Sequence, residues 1–159
     1  MASSWLDRAE GAIRTALAAA ASATLAAIAG ICFVEVVLRY GFGSSFGWYD
    51  EFVGYLLVWL TFLGAVLAQS QGQHIGIENL LERAPDRLRF ALRLANHAIL
   101  VAIHLVLLVY GFQIVARLLT ERAITLPIPM GYIYAVLPVS AIFMLLVESI
   151  QIARTLRAG

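Results

Sequence analysis

The sequence contains no lysine and few charges of either sign. Only 13% of its 159 residues are charged, whereas a soluble domain has about a quarter. All eleven basic residues are arginine, and the net charge is +1. Such a small basic excess disfavours nucleic acid as a partner, because little charge is available to neutralise phosphates. With 62% hydrophobic residues and a mean hydropathy of +0.86, the composition is typical of an integral membrane protein.

Motifs for catalysis and metal binding are also missing. The single Cys32 cannot form an internal disulfide, so it carries no information about the redox compartment. We find no metal-ligand spacing, no nucleophile–base arrangement and no phosphate-binding loop in the sequence. We therefore expect no enzymatic activity, no metal and no cofactor.

What the sequence does contain is four long apolar segments. A helix that crosses the hydrocarbon core needs about 20 residues, with a usual range of roughly 17 to 25. We therefore predict an all-α membrane protein with one domain over residues 1–159. The first segment is read as a retained helix, because it is too long for the core of a signal peptide. The predicted spans are roughly 15–38, 50–69, 91–117 and 130–152.

Two further features shape this prediction. In the segment 75–84, apolar residues recur at the i, i+3, i+4, i+7 spacing of an amphipathic helix, which we place at the cytoplasmic membrane surface. Pro127 and Pro129 should hold the chain extended before the fourth span, because residues that precede proline avoid the helical region. Pro138 lies inside that span and should kink it.

The arginines predict the orientation. Four spans place both termini on one side of the membrane, and positive charge is retained on the cytoplasmic side. The side that carries the termini has eight arginines and the other side has three. The termini and the 75–84 segment are therefore predicted to be cytoplasmic, in a multi-pass protein of the bacterial inner membrane. The eight arginines are Arg8, Arg14, Arg83, Arg87, Arg89, Arg93, Arg154 and Arg157.

The adjacent carboxylates Asp50 and Glu51 then lie at the outer end of the second span. Free backbone N–H groups at a helix N-terminus favour negative charge there, so local capping could explain one of them. They could also pair with Arg39, dock a basic group of a partner, or act on a substrate or an ion. Trp48, just before them, suits an interfacial aromatic belt.

Two carboxylates lie within the spans, where ionisable residues are candidates for function. Glu35 has Arg39 four residues later, which favours an internal salt bridge. Alternatively, Glu35 could couple protons in a small exporter that works as a homodimer. Glu148, near the cytoplasmic end of the fourth span, could snorkel or meet a basic group on another helix.

The histidines raise the question of haem. Haem in a helical bundle is held by histidines at equal depth on different helices, and His74 could match His97 in depth. No second pair of this kind exists. Interhelical hydrogen bonds are the more economical interpretation of the histidines in the third span.

One long motif resembles a known family. The run WYDEFVGYLLVWLTFLGA from Trp48, followed by QGQHI at 71–75 and preceded by LRYGF at 38–42, resembles the small, DctQ-like membrane subunit of tripartite ATP-independent periplasmic (TRAP) transporters. The resemblance covers nearly the whole chain. The family commonly has Glu at the first acidic position, where this chain has Asp50. The residues that match characteristic positions are Trp48, Asp50, Glu51, Trp59, Gly64, Gly72, His74 and Ile75.

The resemblance implies a fold and a role. The family's small subunit spans the inner membrane four times and acts as a scaffold for a large transmembrane subunit, which carries the substrate and sodium sites. A periplasmic binding protein delivers the substrate, usually an organic acid, and a sodium gradient drives uptake. The expected partners are therefore the large subunit, the binding protein and membrane lipids. None of the matching residues is a catalytic or substrate residue on this analogy.

Overall fold

The computed structural model describes residues 2–71 and 85–158. These residues form α-helices and one isolated antiparallel bridge between Arg122 and Pro129. The helices are α1 (Ala2–Gly41), α2 (Tyr49–Ser70), α3 (Asp86–Leu118), α4 (Met130–Tyr134) and α5 (Val136–Ala158). The predicted amphipathic helix at 75–84, together with Gly72, His74 and Ile75, lies outside the described residues.

Four stretches are long and apolar enough to cross a membrane: Gly11–Gly41, Tyr49–Ser70, Leu88–Leu118 and Met130–Leu156. Over the described residues, the prediction of an all-α protein with four such helices is confirmed. The side of the membrane on which the termini lie stays a prediction. We call the end of the molecule that carries the segments 42–48 and 119–129 the loop end. The opposite end, which carries both termini, is the terminal end.

Proline explains why the last span is made of two helices. Helix α4 stops at Tyr134, and α5 begins at Val136. Pro138 has no N–H group, so it cannot donate to the carbonyl of Tyr134 four residues earlier. Regular bonding resumes with the N–H of Val139, which donates to Ala135 O at 3.2 Å. The kink expected at Pro138 is thus a break one turn before it.

The spanning helices pack in the order α1, α2, α5, α3, with α1 and α3 at the two ends of the row. Leu17 on α1, Val66 on α2 and Met144 on α5 form a small apolar core. The most apolar stretch of the last span has 44% of its residues buried, against 6%, 6% and 11% in the other three. The last span is therefore the centre of the fold, and the other three helices present most of their apolar surface outward.

Two glycines permit close helix contacts around α3. A Cβ atom added at Gly111 would lie 3.1 Å from Pro138 Cδ, and one at Gly131 would lie 2.9 Å from both Leu119 Cγ and Val115 O. Because glycine has no side chain, these two positions allow the last span to pack closely against α3. By contrast, an added Cβ at Gly64 would meet nothing within 4 Å, so no close approach within this chain requires that glycine.

Candidate functional site

The turn after α1 is organised by Glu35. Gly43 adopts a φ of 63°, in the left-handed region that glycine enters without steric cost, and this turns the chain back toward α1. Ser45 Oγ then donates a hydrogen bond to Glu35 Oε1, and the Phe46 N–H donates to Glu35 Oε2 at 3.2 Å. Glu35 is 2% exposed, and these bonds hold it at the loop end of α1.

Arg39 completes this arrangement from the surface. Its Nη2 lies 3.1 Å from Glu35 Oε1, the i, i+4 pair that the spacing favours. The same nitrogen lies 3.4 Å from Ser45 Oγ, and the guanidinium carbon lies 5.8 Å from the centre of the Tyr49 ring. Because the Arg39 side chain is about half exposed, Glu35 is linked through it to the surface of the loop end.

Glu51, in the first turn of α2, connects this helix to the loop that precedes α4. The loop is a short hairpin, in which Ala123 N–H donates to Ile128 O at 3.0 Å and Met130 N–H donates to Glu121 O at 2.9 Å. At its tip, the N–H groups of Ile124 and Thr125 donate to the Glu51 carboxylate at 2.8 and 2.6 Å. Two successive backbone N–H groups aimed at one anion form a concave anion-binding feature.

Two hydroxyl groups add to the coordination of Glu51. Thr125 Oγ1 donates to Glu51 Oε2, and Tyr55 OH, one turn further along α2, donates to Glu51 Oε1. All four donors are uncharged, and the carboxylate lies in the first turn of α2, where the helix dipole favours it. Glu51 therefore fixes the position of the hairpin relative to α2.

Asp50 differs from Glu51 in what surrounds it. Its side chain is exposed, with the Tyr49 hydroxyl beside it. Trp48 precedes α2 and stacks on Phe46 with ring centres 5.2 Å apart, and it meets Phe52 edge-on at 5.7 Å. The two adjacent carboxylates thus separate into one that binds the hairpin and one that faces outward.

Beside the hairpin lies an apolar groove of about 190 Å³. Trp59 and Tyr55 line it from α2, and Tyr132 lines it from α4. Its remaining lining residues are Phe52, Leu56, Ile128 and Ile133. Trp59, which the motif singled out, therefore contributes to an apolar surface between α2 and the start of the last span.

A second polar group, here called the terminal-end cluster, links three helices at the other end. Glu148 on α5 is 0% exposed; its Oε1 lies 2.6 Å from His97 Nδ1 on α3, and its Oε2 accepts from Gln69 Nε2 on α2 at 2.7 Å. His97 Nε2 lies 3.1 Å from Thr155 Oγ1. Gln151 Nε2 donates to Gln69 O at 3.0 Å, which satisfies a carbonyl in the last turn of α2.

Sequence reasoning anticipated part of both arrangements. For Glu148 the sequence left two alternatives, and the structure has the contact with a side chain on another helix, His97. The interhelical hydrogen bonds expected of the histidines are present at His97. The reasoning missed Ser45, Tyr55 and Thr125 at the loop end, and Gln69 and Thr155 in the terminal-end cluster. Polar side chains at the ends of spans were the available signal, but nothing in their spacing names a partner.

Comparison with known proteins identifies relatives of this chain. A protein of Haemophilus influenzae, provisionally named a TRAP transporter small permease, is 44% identical over 61 residues, which are 38% of each chain. The C4-dicarboxylate TRAP transporter small permease protein DctQ of Vibrio cholerae is 30% identical over 93 residues, which are 58% of this chain and 40% of that protein. Each alignment therefore spans about two fifths of the relative's length.

The family comparison covers far more of the chain. The model of the DctQ component of tripartite ATP-independent periplasmic transporters matches residues 28–158. This match includes Glu35, Asp50 and Glu51 at the loop end and the whole terminal-end cluster. The chain therefore belongs to the DctQ family of TRAP transporter components.

Proposed function

We propose that this chain is the small membrane subunit of a sodium-driven TRAP transporter that imports an organic acid. In this role it pairs with a large transmembrane subunit, which carries the transport path, and its loop end faces a periplasmic binding protein. The termini lie in the cytoplasm of a bacterium and the spans lie in its inner membrane. Support for the substrate class comes from the V. cholerae relative, whose name specifies C4-dicarboxylates.

The arrangement of the helices in a row is the observation that carries this proposal. Helices α1 and α3 occupy the ends of the row, and the outward residues of α3 include Ile99, Ile103 and Val106, all more than half exposed. Intramembrane carboxylates in the described residues are engaged by neighbouring side chains rather than lining an open path. Such a row provides surface for a scaffold, whereas a self-sufficient transporter is expected to contain broken-helix repeats around a midplane site.

At the loop end, Asp50 is the charge we assign to partner docking. Glu51 already binds the hairpin, and its charge is matched by four donors. Asp50 is exposed beside it and can meet an arginine or lysine of a partner. Such a contact favours correct orientation and faster association more than raw affinity.

Co-purification tests the subunit assignment. The full chain, tagged and extracted from its native membrane in mild detergent, is expected to bring down a large multi-spanning protein in near-equal amount, identified by mass spectrometry. Proteoliposomes that contain both subunits should take up an organic acid only with the binding protein and a sodium gradient. Recovery of the chain alone, stable and self-associated, would contradict the proposal and favour the homodimeric exporter that uses Glu35.

Charge reversal tests the docking role separately. Asp50→Arg should lower uptake while both subunits are recovered in normal amounts, because the hairpin bonds of Glu51 are untouched. Glu51→Arg should weaken assembly or uptake without abolishing membrane insertion. Normal uptake by the Asp50 variant would exclude docking at this carboxylate, and it would leave the subunit assignment to the co-purification result.

A further inference from the structure

The loop end presents two opposite charges that do not neutralise each other. Arg39, in the last turn of α1, forms its ion pair with the buried Glu35 at 3.1 Å. Asp50, in the first turn of α2, is exposed. Within the described residues, Arg39 and Asp50 form no ion pair with each other. The negative charge is therefore available to a group outside this chain.

Arg39 can bind a second acidic group while it stays paired with Glu35. A guanidinium carries N–H donors on each of its nitrogens, arranged as a planar fork. In the described part of the chain only Nη2 forms hydrogen bonds, to Glu35 Oε1 and to Ser45 Oγ, so the donors of Nε and Nη1 stay open. The side chain is half exposed. Glu35, itself held by Ser45 and the Phe46 N–H group, therefore acts as a positioning residue for an outward-facing arginine.

Tyr49 separates the two charges and fixes their order. The guanidinium carbon of Arg39 lies 5.8 Å from the centre of the Tyr49 ring, within the range of about 6 Å for a cation–π contact. The Tyr49 hydroxyl is hydrogen-bonded to the Asp50 side chain. The positive charge thus lies over the ring and the negative charge lies beside the hydroxyl. A partner that places an acidic group on Arg39 and a basic group on Asp50 can satisfy both charges in only one orientation.

The hairpin adds an apolar side chain to this surface. Ile124 at the hairpin tip is 90% exposed, although its N–H group is fixed by Glu51, the residue that follows Asp50. A large apolar side chain on a fixed backbone can enter a pocket of a partner at little cost in conformational entropy. Protein–protein interfaces combine such an apolar anchor with charged groups around it, and the loop end provides both.

We propose that Arg39, Tyr49, Asp50 and Ile124 form one docking surface, here called the loop-end surface, for the periplasmic binding protein. The partner presents a carboxylate to Arg39, an arginine or lysine to Asp50 and an apolar pocket to Ile124. This inference rests on the proposed function, which directs the loop end toward the binding protein. It extends the docking role of Asp50 to an oriented pair of charges, and it gives the buried Glu35 a positioning role.

The kinetics of binding test the charged part of the loop-end surface. The probe is the purified binding protein, and the target is the assembled pair of membrane subunits in phosphatidylcholine nanodiscs. Arg39→Gln should slow association about tenfold at low salt and should make the association rate less dependent on salt. Arg117→Gln, the same change at another exposed arginine of this end, should bind like the unmodified complex. Equal slowing in both variants would mean that only the net charge matters and would overturn the proposal.

Ile124→Ala tests the apolar part with little risk to the fold, because the removed atoms belong to a side chain that is 90% exposed. The backbone N–H group that binds Glu51 is retained. Dissociation of the binding protein should become about tenfold faster, since loss of an apolar anchor acts mainly on the dissociation rate. Unchanged binding by either Ile124→Ala or Arg39→Gln would overturn the loop-end surface as defined here.

Recovery of the large subunit separates this inference from the proposed function. Both variants should co-purify the large subunit in the same amount as the unmodified chain does. If Arg39→Gln loses the large subunit, the arginine supports the membrane pair rather than docking, and the inference is wrong. If the unmodified chain recovers no large subunit, the proposed function itself is contradicted, and the loop-end surface falls with it.

Discussion

Glu51 and Glu148 each connect separate parts of the fold by hydrogen bonds, but the surroundings of the two carboxyl groups differ. Glu51 at the loop end lies half-buried in the first turn of α2 and binds backbone N–H and hydroxyl groups. Glu148 at the terminal end is completely buried and binds side chains from two other helices. The first carboxylate has a helix N-terminus and nearby solvent to stabilise it. The carboxyl group of Glu148 is stabilised only by the side chains that it binds.

This difference explains why the two ends should respond differently to perturbation. Loss of a donor around Glu51 releases a surface hairpin, which solvent can then hydrate. Loss of a group in the terminal-end cluster leaves a polar atom buried between helices, where desolvation is not recovered. We therefore expect local effects at the loop end and effects on the whole fold at the terminal end.

The largest effect is expected for Glu148→Ala. It leaves His97 and Gln69 without the carboxylate that they share, and each buried polar group left without a partner costs about 1–3 kcal/mol, to which the cavity left by the removed side chain adds. The free energy of unfolding in mixed detergent micelles is the measurement. His97→Ala and the double variant complete a cycle, in which the double loss should be smaller than the sum of the single losses. Additive losses would contradict direct coupling between the two residues.

A packing change at the loop end should rank second. Gly131→Ala places a methyl group 2.9 Å from Leu119 Cγ and from Val115 O, and such overpacking costs about 1–3 kcal/mol. Gly64→Ala is the matched control, since an added Cβ there meets nothing within 4 Å and alanine favours the helix. Equal stability of both variants would exclude a close approach of α4 to α3.

A local effect is expected for Glu51→Gln. The N–H groups of Ile124 and Thr125 donate to different oxygens of Glu51, and in the amide one of these oxygens is replaced by an NH2 group, which cannot accept. Amide hydrogen exchange at these two residues should accelerate about tenfold or more, with little change in global stability. Asp50→Asn, its neighbour, should leave this exchange unchanged. Acceleration in both variants would mean that charge at the end of α2, rather than the bonds, holds the hairpin.

The same contrast marks the limit of what the sequence predicts. Uninterrupted apolar length is a local property, and it was enough to predict the four spans. The Glu35–Arg39 pair was also predictable, because partners four residues apart share one face of a helix. Pro138 predicted a disturbance of the last span, because the missing N–H group is a property of proline itself.

The remaining features depend on how the helices pack. Glu51 and its hairpin partners are 73 and 74 residues apart, and His97 and Glu148 are 51 residues apart. No periodicity relates such positions. The family motif drew attention to Gly64, whereas the close contacts are at Gly111 and Gly131. Which glycine meets a neighbouring helix depends on the rotation of that helix, and a single sequence does not specify it.

The smallest effect is expected for Tyr55→Phe, which removes one donor to Glu51 and leaves the ring in the groove beside Trp59. The backbone donors and the Thr125 hydroxyl remain, so amide exchange at Thr125 should accelerate only about threefold, consistent with one modest hydrogen bond. Thr125→Val removes the other hydroxyl and should act similarly. If Tyr55→Phe instead released the hairpin as fully as Glu51→Gln, the tyrosine would be positioning the carboxylate for the backbone donors. The loop end would then resemble the terminal end, where loss of Glu148 is expected to affect the side chains that it binds on two other helices.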